Sequence, residues 1–242
     1  MATAAVPAKP VPTIPGRRDT DATLVALLVG LTVVTGLVDA FSYLSLGHVF
    51  VANMTGNVVF LAFALAGSPG FSIPVSVAAL IAFGLGAAVG GRFAARIEPN
   101  RGRLLAGATA VEATLLGLAV ASATIGGLDL DSVRTGLVVV LAIAMGLQNA
   151  TARRLAIADL TTTVLTLTIT GLAADGRFGA GGDGRVRRRL TGVLAMLVGA
   201  FVGAALIVRG QSVVVLVLAL IVTSVVAGIA MRSRVPESVA GA

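Results

Sequence analysis

The amino-acid sequence predicts an all-α polytopic membrane protein made of two inverted repeats, with six full transmembrane helices and two re-entrant or broken helices. Three observations carry this prediction. The 242 residues are 57% hydrophobic and only 12% charged, with a mean hydropathy of +1.00. Eight hydrophobic segments follow one another along the chain, and a set of polar motifs occurs twice. Soluble domains of this length do not have such a composition.

The eight hydrophobic segments fall into two sets of four. They cover roughly residues 22–44, 50–67, 73–95, 103–126, 133–151, 157–174, 190–208 and 213–231. The residues before them are rich in proline and lack an apolar face, which is typical of a disordered tail. The predicted organisation is a disordered cytosolic tail at 1–21, a first membrane repeat at 22–126, an outer loop at 127–132, a second membrane repeat at 133–232 and a cytosolic tail at 233–242.

The basic residues decide how many segments cross the membrane, because cytoplasmic flanks carry the excess of Lys and Arg. If all eight segments cross with the amino terminus inside, the 18 basic residues split into 11 inside and seven outside. If the second and sixth segments instead enter and return on the same side, only Arg134 and Arg209 remain outside. The second arrangement fits the rule far better, and it places both termini in the cytosol.

Polar motifs occur at matching points of the two halves, within otherwise apolar sequence. The first copy reads Gly36-Leu-Val-Asp39-Ala and then Asn53-Met-Thr55-Gly-Asn57, and the second reads Gly146-Leu-Gln148-Asn149-Ala and then Asp159-Leu-Thr161-Thr-Thr163. The pair Gly86 and Gly90 is matched in the same way by Gly199 and Gly203, and such small-xxx-small pairs allow helices to pack closely. A repeat of about 110 residues is long enough to be a duplicated domain.

Each predicted re-entrant segment carries one copy of the polar motif where a continuous span would be most apolar. Starting at His48, an extended chain would reach a depth of about 15 Å at Asn53, near the midplane. The stretch that follows, as far as Gly67, would return about 20 Å to the same surface as a half-helix. Asn53 and Asp159 stand at the expected N-cap positions of the two half-helices. Because three full spans separate equivalent points, the two halves are expected to have opposite orientations.

These motifs resemble those of the YoaK-like family of bacterial integral membrane proteins. The resemblance covers about residues 22–232, and the block from Asn53 to Asn57 is its most specific part. It implies a six-span protein of the bacterial cytoplasmic (inner) membrane, and it brings no assigned substrate. The mechanism must therefore be inferred from the residues themselves.

Polar side chains inside the membrane segments are the candidate functional residues, because such groups are costly there and are seldom kept without a use. The predicted substrate-binding residues are Asp39, Asn53, Thr55, Asn57, Gln148, Asn149, Asp159, Thr161 and Thr163. Structural roles are the alternative: Asx residues cap helices, Asp39 can tie down the broken element after it, and threonines bond to the preceding turn of their own helix.

Glu112 is the candidate for proton coupling. It lies about 14 Å along its predicted span, close to the midplane, where the neutral form of a carboxyl group is favoured. The alternative is a protonated Glu that only bonds a neighbouring helix and holds the two together.

The sequence offers little for metal or cofactor chemistry, because it has no cysteine and a single histidine, His48. No cofactor is expected. Nothing in the sequence supplies a nucleophile elbow or a phosphate-binding loop, so the chain is predicted not to be an enzyme. The basic residues lie in short clusters between apolar runs, such as Arg185–Arg189. Such clusters are typical of topology signals that contact anionic membrane lipids, and no nucleic-acid partner is expected.

Two classes of function remain open. The first is a secondary transporter or facilitator for a small polar or anionic solute, with its binding site at the repeat interface and with proton coupling as an option. The second is a non-transporting membrane scaffold or lipid-binding protein, in which the polar pairs would only pack helices together. Convergence of the polar clusters of both halves on one water-accessible cavity would favour transport.

Overall fold

The computed structural model describes residues 17–97, 100–155, 170 and 183–232. Within these ranges the chain forms seven α-helices: α1 (Arg17–Ser45), α2 (Met54–Leu65), α3 (Ile73–Ile97), α4 (Arg101–Gly126), α5 (Asp131–Leu155), α6 (Asp183–Val208) and α7 (Ser212–Arg232). Helix α1 begins at Arg17, so the last residues of the predicted tail are helical. The predicted second re-entrant segment, including Asp159, Thr161 and Thr163, lies outside the described residues apart from Thr170.

Six of these helices are long and apolar enough to cross a membrane. Helix α2 is the exception: its 12 residues extend for about 18 Å, which is much less than the hydrocarbon thickness of a bilayer. The described residues therefore confirm an all-α polytopic membrane protein with six spans and one short apolar helix between the first two of them.

Two helix pairs hold the bundle together by close backbone contact. Helix α1 packs along α6, and α3 packs along α5. Gly199 of α6 lies against the backbone of Val33, and Gly86 of α3 lies against the backbone of Ile143, with no room for a side-chain carbon at either glycine. The packing role predicted for these small-residue pairs is thus confirmed. Each pair joins a helix of the first half of the chain to a helix of the second half.

The order of the contacts gives the relative direction of the paired helices. Val33 of α1 meets Gly199 of α6, and Leu37, further along α1, meets Gly203, further along α6. Helices α1 and α6 are therefore parallel. The glycines of α3 meet α5 in the same rising order, so α3 and α5 are parallel as well.

The centre of the bundle is formed by α1, α4, α5 and α7. Helix α4 packs against α5 and α7, and α1 packs against α7 and more lightly against α5. Two clusters of buried apolar side chains fill this centre, one around Phe41 and Leu141 and the other around Leu28 and Leu105. Helices α3 and α6 lie outside and expose large apolar side chains such as Leu85, as a surface that faces lipid requires.

Basic residues mark one end of the bundle. Arg96 lies in the last turn of α3, Arg153 and Arg154 lie in the last turn of α5, and Arg232 ends α7. Arg101, at the start of α4, donates a hydrogen bond to the carbonyl of Leu155, so the end of α5 and the start of α4 lie together. This distribution fits six crossings. Which end faces the cytosol stays a prediction from the charge rule.

Candidate functional site

Between α1 and α3 the chain enters the bundle and returns to the end from which it came. The imidazole Nδ1 of His48 lies 3.2 Å from the carbonyl oxygen of Gly70, and the ring centroids of His48 and Phe71 are 6.1 Å apart. The two ends of the segment are therefore side by side, although α2 lies between them in sequence. The segment therefore forms a hairpin that includes the short helix α2, as the predicted re-entrant course requires.

Both ends of α2 carry capping interactions. The side-chain oxygen of Asn53 accepts a hydrogen bond from the amide of Gly56 at 3.4 Å, which confirms the predicted N-cap. At the other end Gly67 has a φ of +81°, and the amide of Ser68 donates to the carbonyl of Phe63 at 3.0 Å, as in a Schellman motif. The half-helix thus begins and ends where these residues satisfy its terminal backbone groups.

Asp39 anchors the descending part of the re-entrant segment. Its Oδ1 accepts hydrogen bonds from the amides of Val51 at 3.1 Å and of Ala52 at 2.9 Å. The side chain is buried, and its Oδ2 has no hydrogen-bond partner in the described part of the chain. Non-helical backbone inside a membrane needs hydrogen-bond partners for its amides. Asp39 supplies them for Val51 and Ala52, so the chain can be non-helical at these residues. This agrees with the structural role that the sequence left open for Asp39.

Asn57 completes the support of the same stretch from the other side. Its Oδ1 accepts from the amide of Phe50 at 2.9 Å, and its Nδ2 donates to the carbonyl of Phe50 at 2.6 Å. The side chain is buried and satisfies both backbone groups of Phe50, as a neighbouring strand would do in a sheet. Thr55, by contrast, is exposed, as is Asn53. Much of the first polar motif therefore serves the backbone of its own segment.

An aromatic cluster packs beside the re-entrant segment and joins it to α1 and to Phe71, just before α3. The ring of Tyr43 stacks on Phe50 with centroids 5.0 Å apart, and the ring of Phe60 stacks on Phe71 with centroids 5.2 Å apart. Phe50 and Phe60 are themselves 5.5 Å apart, so the rings form one continuous cluster. Contacts of this kind hold α2 in a fixed position relative to the spans on either side.

Gln148 makes a buried polar contact between the two halves of the chain. Its Nε2 donates to the hydroxyl of Thr35 at 2.8 Å and lies 3.5 Å from the carbonyl of Leu31. The Oε1 of Gln148 has no hydrogen-bond partner among the described residues. The neighbouring Asn149 is half-buried and donates to the carbonyl of Met145 in its own helix at 2.9 Å. Gln148 therefore keeps one acceptor available in the interior of the bundle.

Glu112 and Thr223 are the other buried groups with unsatisfied oxygens at the centre. Glu112 is 1% exposed in the middle of α4, and within the described ranges neither of its carboxyl oxygens has a hydrogen-bond partner. Thr223 of α7 is fully buried, and its hydroxyl likewise lacks a partner there. A buried polar group left in this state costs about 1–3 kcal/mol. Such oxygens can receive water, a solute or an ion.

Sequence reasoning found most of these side chains but missed two. Thr35 and Thr223 are isolated threonines in apolar helices, and such residues commonly bond to their own helix, as Thr109 does with Leu105 at 2.7 Å. A signal was available for Thr223, because it stands four residues from both Ala219 and Ala227 on the buried stripe of α7. In the structure Gln148 and Thr35 are joined by a hydrogen bond. Asp159, Thr161 and Thr163 cannot be placed, since they lie outside the described residues.

Comparison with known proteins gives a family. A model of the family described as "Protein of unknown function (DUF1275)" matches residues 27–229. The chain belongs to this family. The chain is also 35% identical, over 150 residues, to the UPF0700 transmembrane protein YoaK of Bacillus subtilis (strain 168). This confirms the resemblance inferred from the polar motifs.

The alignment with YoaK covers only part of each protein. The aligned stretch covers 62% of the chain and 65% of YoaK, which is less than two thirds of that protein's length. No solved structure matches the chain. The six apolar helices and the transmembrane relative support a multi-pass membrane protein. The DUF1275 family has no assigned activity.

Proposed function

We propose that the protein is a secondary transporter or facilitator for a small polar or anionic solute, with its binding site at the interface between the two halves. The observation that carries the proposal is the state of Gln148. Its side chain is 2% exposed and bonds Thr35 across the interface, yet its Oε1 lacks a partner in the described chain. An amide that only held helices together would be expected to satisfy both of its polar atoms.

An inverted relation between the two halves is part of the proposal. Helices α1 and α3 run in opposite directions, because the re-entrant segment brings the end of α1 to the start of α3. Helix α5 is parallel to α3. Helices α1 and α5, which carry the two copies of the first motif, therefore run in opposite directions. Inverted repeats of this kind place the solute at the repeat interface in many transporters.

A preference for anionic or electronegative groups follows from the half-helix. The N-terminus of α2, capped by Asn53, carries about half a positive charge. We expect it to open inside the membrane layer. Thr55 lies in the first turn of the same half-helix. We expect Asp159, Thr161 and Thr163 to supply the matching groups from the second half. Asp159 would offset part of the positive field and give the site a polarity.

The remaining elements of the proposal concern location and coupling. We place the protein in the bacterial cytoplasmic (inner) membrane with both termini in the cytosol, and we expect its basic clusters to contact anionic lipids. Proton coupling, if the protein accumulates solute, would use Glu112, the buried carboxyl group of α4. The proposal makes the protein a carrier and not an enzyme.

A non-transporting scaffold or lipid-binding protein is the second candidate. It is favoured by the hydrogen bonds of Asp39 and Asn57, because both side chains bind the backbone of the re-entrant segment. Under this alternative, the polar motif would serve the fold alone.

Thermal-shift measurements on purified protein in nanodiscs separate the two candidates. The protein is screened against small neutral polar and anionic solutes, and a solute present at 100 times its Kd stabilises the folded state by about 2.7 kcal/mol. We expect a solute that stabilises the wild type and Asp131→Asn, whose carboxyl group is fully exposed, but does not stabilise Gln148→Leu. Equal stabilisation of Gln148→Leu would place the site elsewhere. Stabilisation by lipids alone would favour the scaffold.

A further inference from the structure

Helices α4 and α7 occupy equivalent places in the two halves. Leu105, Ala108, Gly117 and Ala119 of α4 match Leu216, Ala219, Gly228 and Ala230 of α7 at one constant shift along the sequence. The same shift carries Glu112 onto Thr223. Apart from the glycines, all of these residues are buried, so the two stripes match in burial as well as in identity.

The packing of the other helices is symmetric in the same sense. Helix α1 packs on α6 as α5 packs on α3, and α4 packs on α5 as α7 packs on α1. An approximate two-fold axis therefore relates the two halves. Exchanging the halves turns the contact between α4 and α7 into itself, so the axis passes through this contact. At such a self-paired contact, residues near the axis face their own equivalents.

Depth places Glu112 and Thr223 at this axis. Helix α1 is antiparallel to α3, and only three residues separate α3 from α4, so α4 is parallel to α1. Helix α6 is also parallel to α1, and three residues separate it from α7. Helices α4 and α7 are therefore antiparallel. Glu112 lies about 16 Å along α4 from Arg101, and Thr223 lies about 14 Å from Arg232 at the matching end of α7. The two residues are thus at similar depths in helices that pack together.

The described protein atoms provide no hydrogen-bond partner for Glu112, whether its carboxyl group is charged or neutral. Both of its oxygens and the hydroxyl of Thr223 lack hydrogen-bond partners there. The described charged residues of the helices packed on α4 lie in or near the terminal turns: Arg92 and Arg96 on α3, Asp131, Arg134, Arg153 and Arg154 on α5, and Arg232 on α7. None of them lies at the depth of Glu112, so no described arginine or lysine is placed to neutralise its carboxylate. A buried carboxylate without such a partner takes up a proton or a small cation.

We propose that Glu112 and Thr223 face each other across this axis and form a binding site for one exchangeable small cation, a proton or Na⁺, in the middle of the membrane. Glu112 supplies the charge and Thr223 supplies a neutral oxygen from the equivalent position. Because the position equivalent to Glu112 holds the hydroxyl of Thr223, the axis carries a single charge. Two carboxylates there would repel each other. The inference deepens the coupling role given to Glu112 and rests on the proposed function only in calling the ion a coupling ion.

Infrared difference spectroscopy of purified protein in nanodiscs tests the site without any solute. The carboxylic-acid C=O band of Glu112, identified by its loss in Glu112→Gln, is followed while the pH is raised or while Na⁺ is added at fixed pH. We expect the band to disappear in one of these titrations. Thr223→Val should move its frequency and shift the titration midpoint about three- to tenfold, the effect of one hydrogen bond.

Thr109→Val is the matched control, because its hydroxyl lies one turn away on α4 and bonds to its own helix. It should leave the band and the midpoint unchanged. The exchanged variant, Glu112→Thr with Thr223→Glu, should restore a titrating band that Glu112→Thr alone lacks. Loss of the band with pH alone identifies a proton site, and its loss on addition of Na⁺ at fixed pH identifies a Na⁺ site.

A wild-type band that responds to neither pH nor Na⁺ would overturn the proposal, as would a titration that Thr223→Val leaves unaltered. If single variants fail to fold, the wild-type titrations alone decide whether Glu112 binds a cation. The exchanged variant then decides whether position 223 belongs to the site. No solute enters these measurements. A negative result would therefore reject the cation site without rejecting solute binding, and a failed solute screen would not reject the cation site.

Discussion

The side-chain amide of Gln148 donates a hydrogen bond to the hydroxyl of Thr35 across 2.8 Å. The bond joins α5 to α1, the two helices that carry the two copies of the first motif. Thr35 in turn donates to the carbonyl of Leu31 at 3.0 Å, so the contact continues into the backbone of α1. The interface between the halves therefore contains a directed polar contact in an otherwise apolar interior.

Thr35→Val should destabilise the protein by about 1–2 kcal/mol, because it leaves the Gln148 amide without its best acceptor. Adding Gln148→Leu should recover most of this loss, since an apolar pair needs no partner. Thr32→Val is the control: in the described part of the chain the hydroxyl of Thr32 bonds the carbonyl of Leu28 in its own helix, at 2.9 Å, and no residue of the other half. Reversible unfolding in mixed micelles measures all three. Equal losses for Thr35→Val and Thr32→Val would mean that the contact between halves contributes nothing.

Asp39→Ala should cost about 2–4 kcal/mol, because the amides of Val51 and Ala52 would remain buried without an acceptor. Asp39→Asn should cost less than about 1 kcal/mol, because one carbonyl oxygen can still accept from both amides. Thermal unfolding of the two variants decides between anchoring by geometry and anchoring by charge. If Asp39→Asn is as unstable as Asp39→Ala, the negative charge itself holds the segment.

Gly86→Ala should destabilise the contact between α3 and α5 by about 1–3 kcal/mol, because the added methyl group meets the backbone of Ile143. Gly84 provides a matched control in the same helix, since nothing lies within 4 Å of a Cβ added there. Gly84→Ala should be neutral or should stabilise by up to about 1 kcal/mol. Unfolding midpoints of the two variants give the comparison, and a loss of similar size in both would remove the case for close packing.

The re-entrant course predicts which side of the membrane reaches Ser68. Because the chain has no native cysteine, Ser68→Cys carries a single thiol, and Ser233→Cys places one in the predicted cytosolic tail. In intact cells a membrane-impermeant reagent should label the first variant and not the second. Labelling of Ser68→Cys only after the cytosolic face is opened would contradict the topology, although it would leave the segment's hairpin geometry in place.

Sequence patterns predicted the features that depend on local chemistry. The hydrophobic segment at 73–95 became α3 (Ile73–Ile97), and the Asx residue before the second segment became the N-cap of α2. Pairing between halves could not be predicted, because glycine spacing shows that Gly86 packs closely but not that Ile143 is its partner. The use of Asp39 and Asn57 by nearby backbone also depends on the path of the segment in space. Thr223 was missed because a threonine in an apolar helix commonly bonds to its own helix, as Thr109 does.

Uptake into proteoliposomes tests the central claim most directly, which is that buried polar groups between the halves carry a solute. A solute identified by thermal shift is supplied with and without an inward proton gradient, to the wild type and to Glu112→Gln. The wild type should accumulate it with the gradient, whereas Glu112→Gln should exchange external for internal solute but should not accumulate it. No uptake and no exchange by folded wild-type protein, for any solute that stabilises it, would contradict the claim.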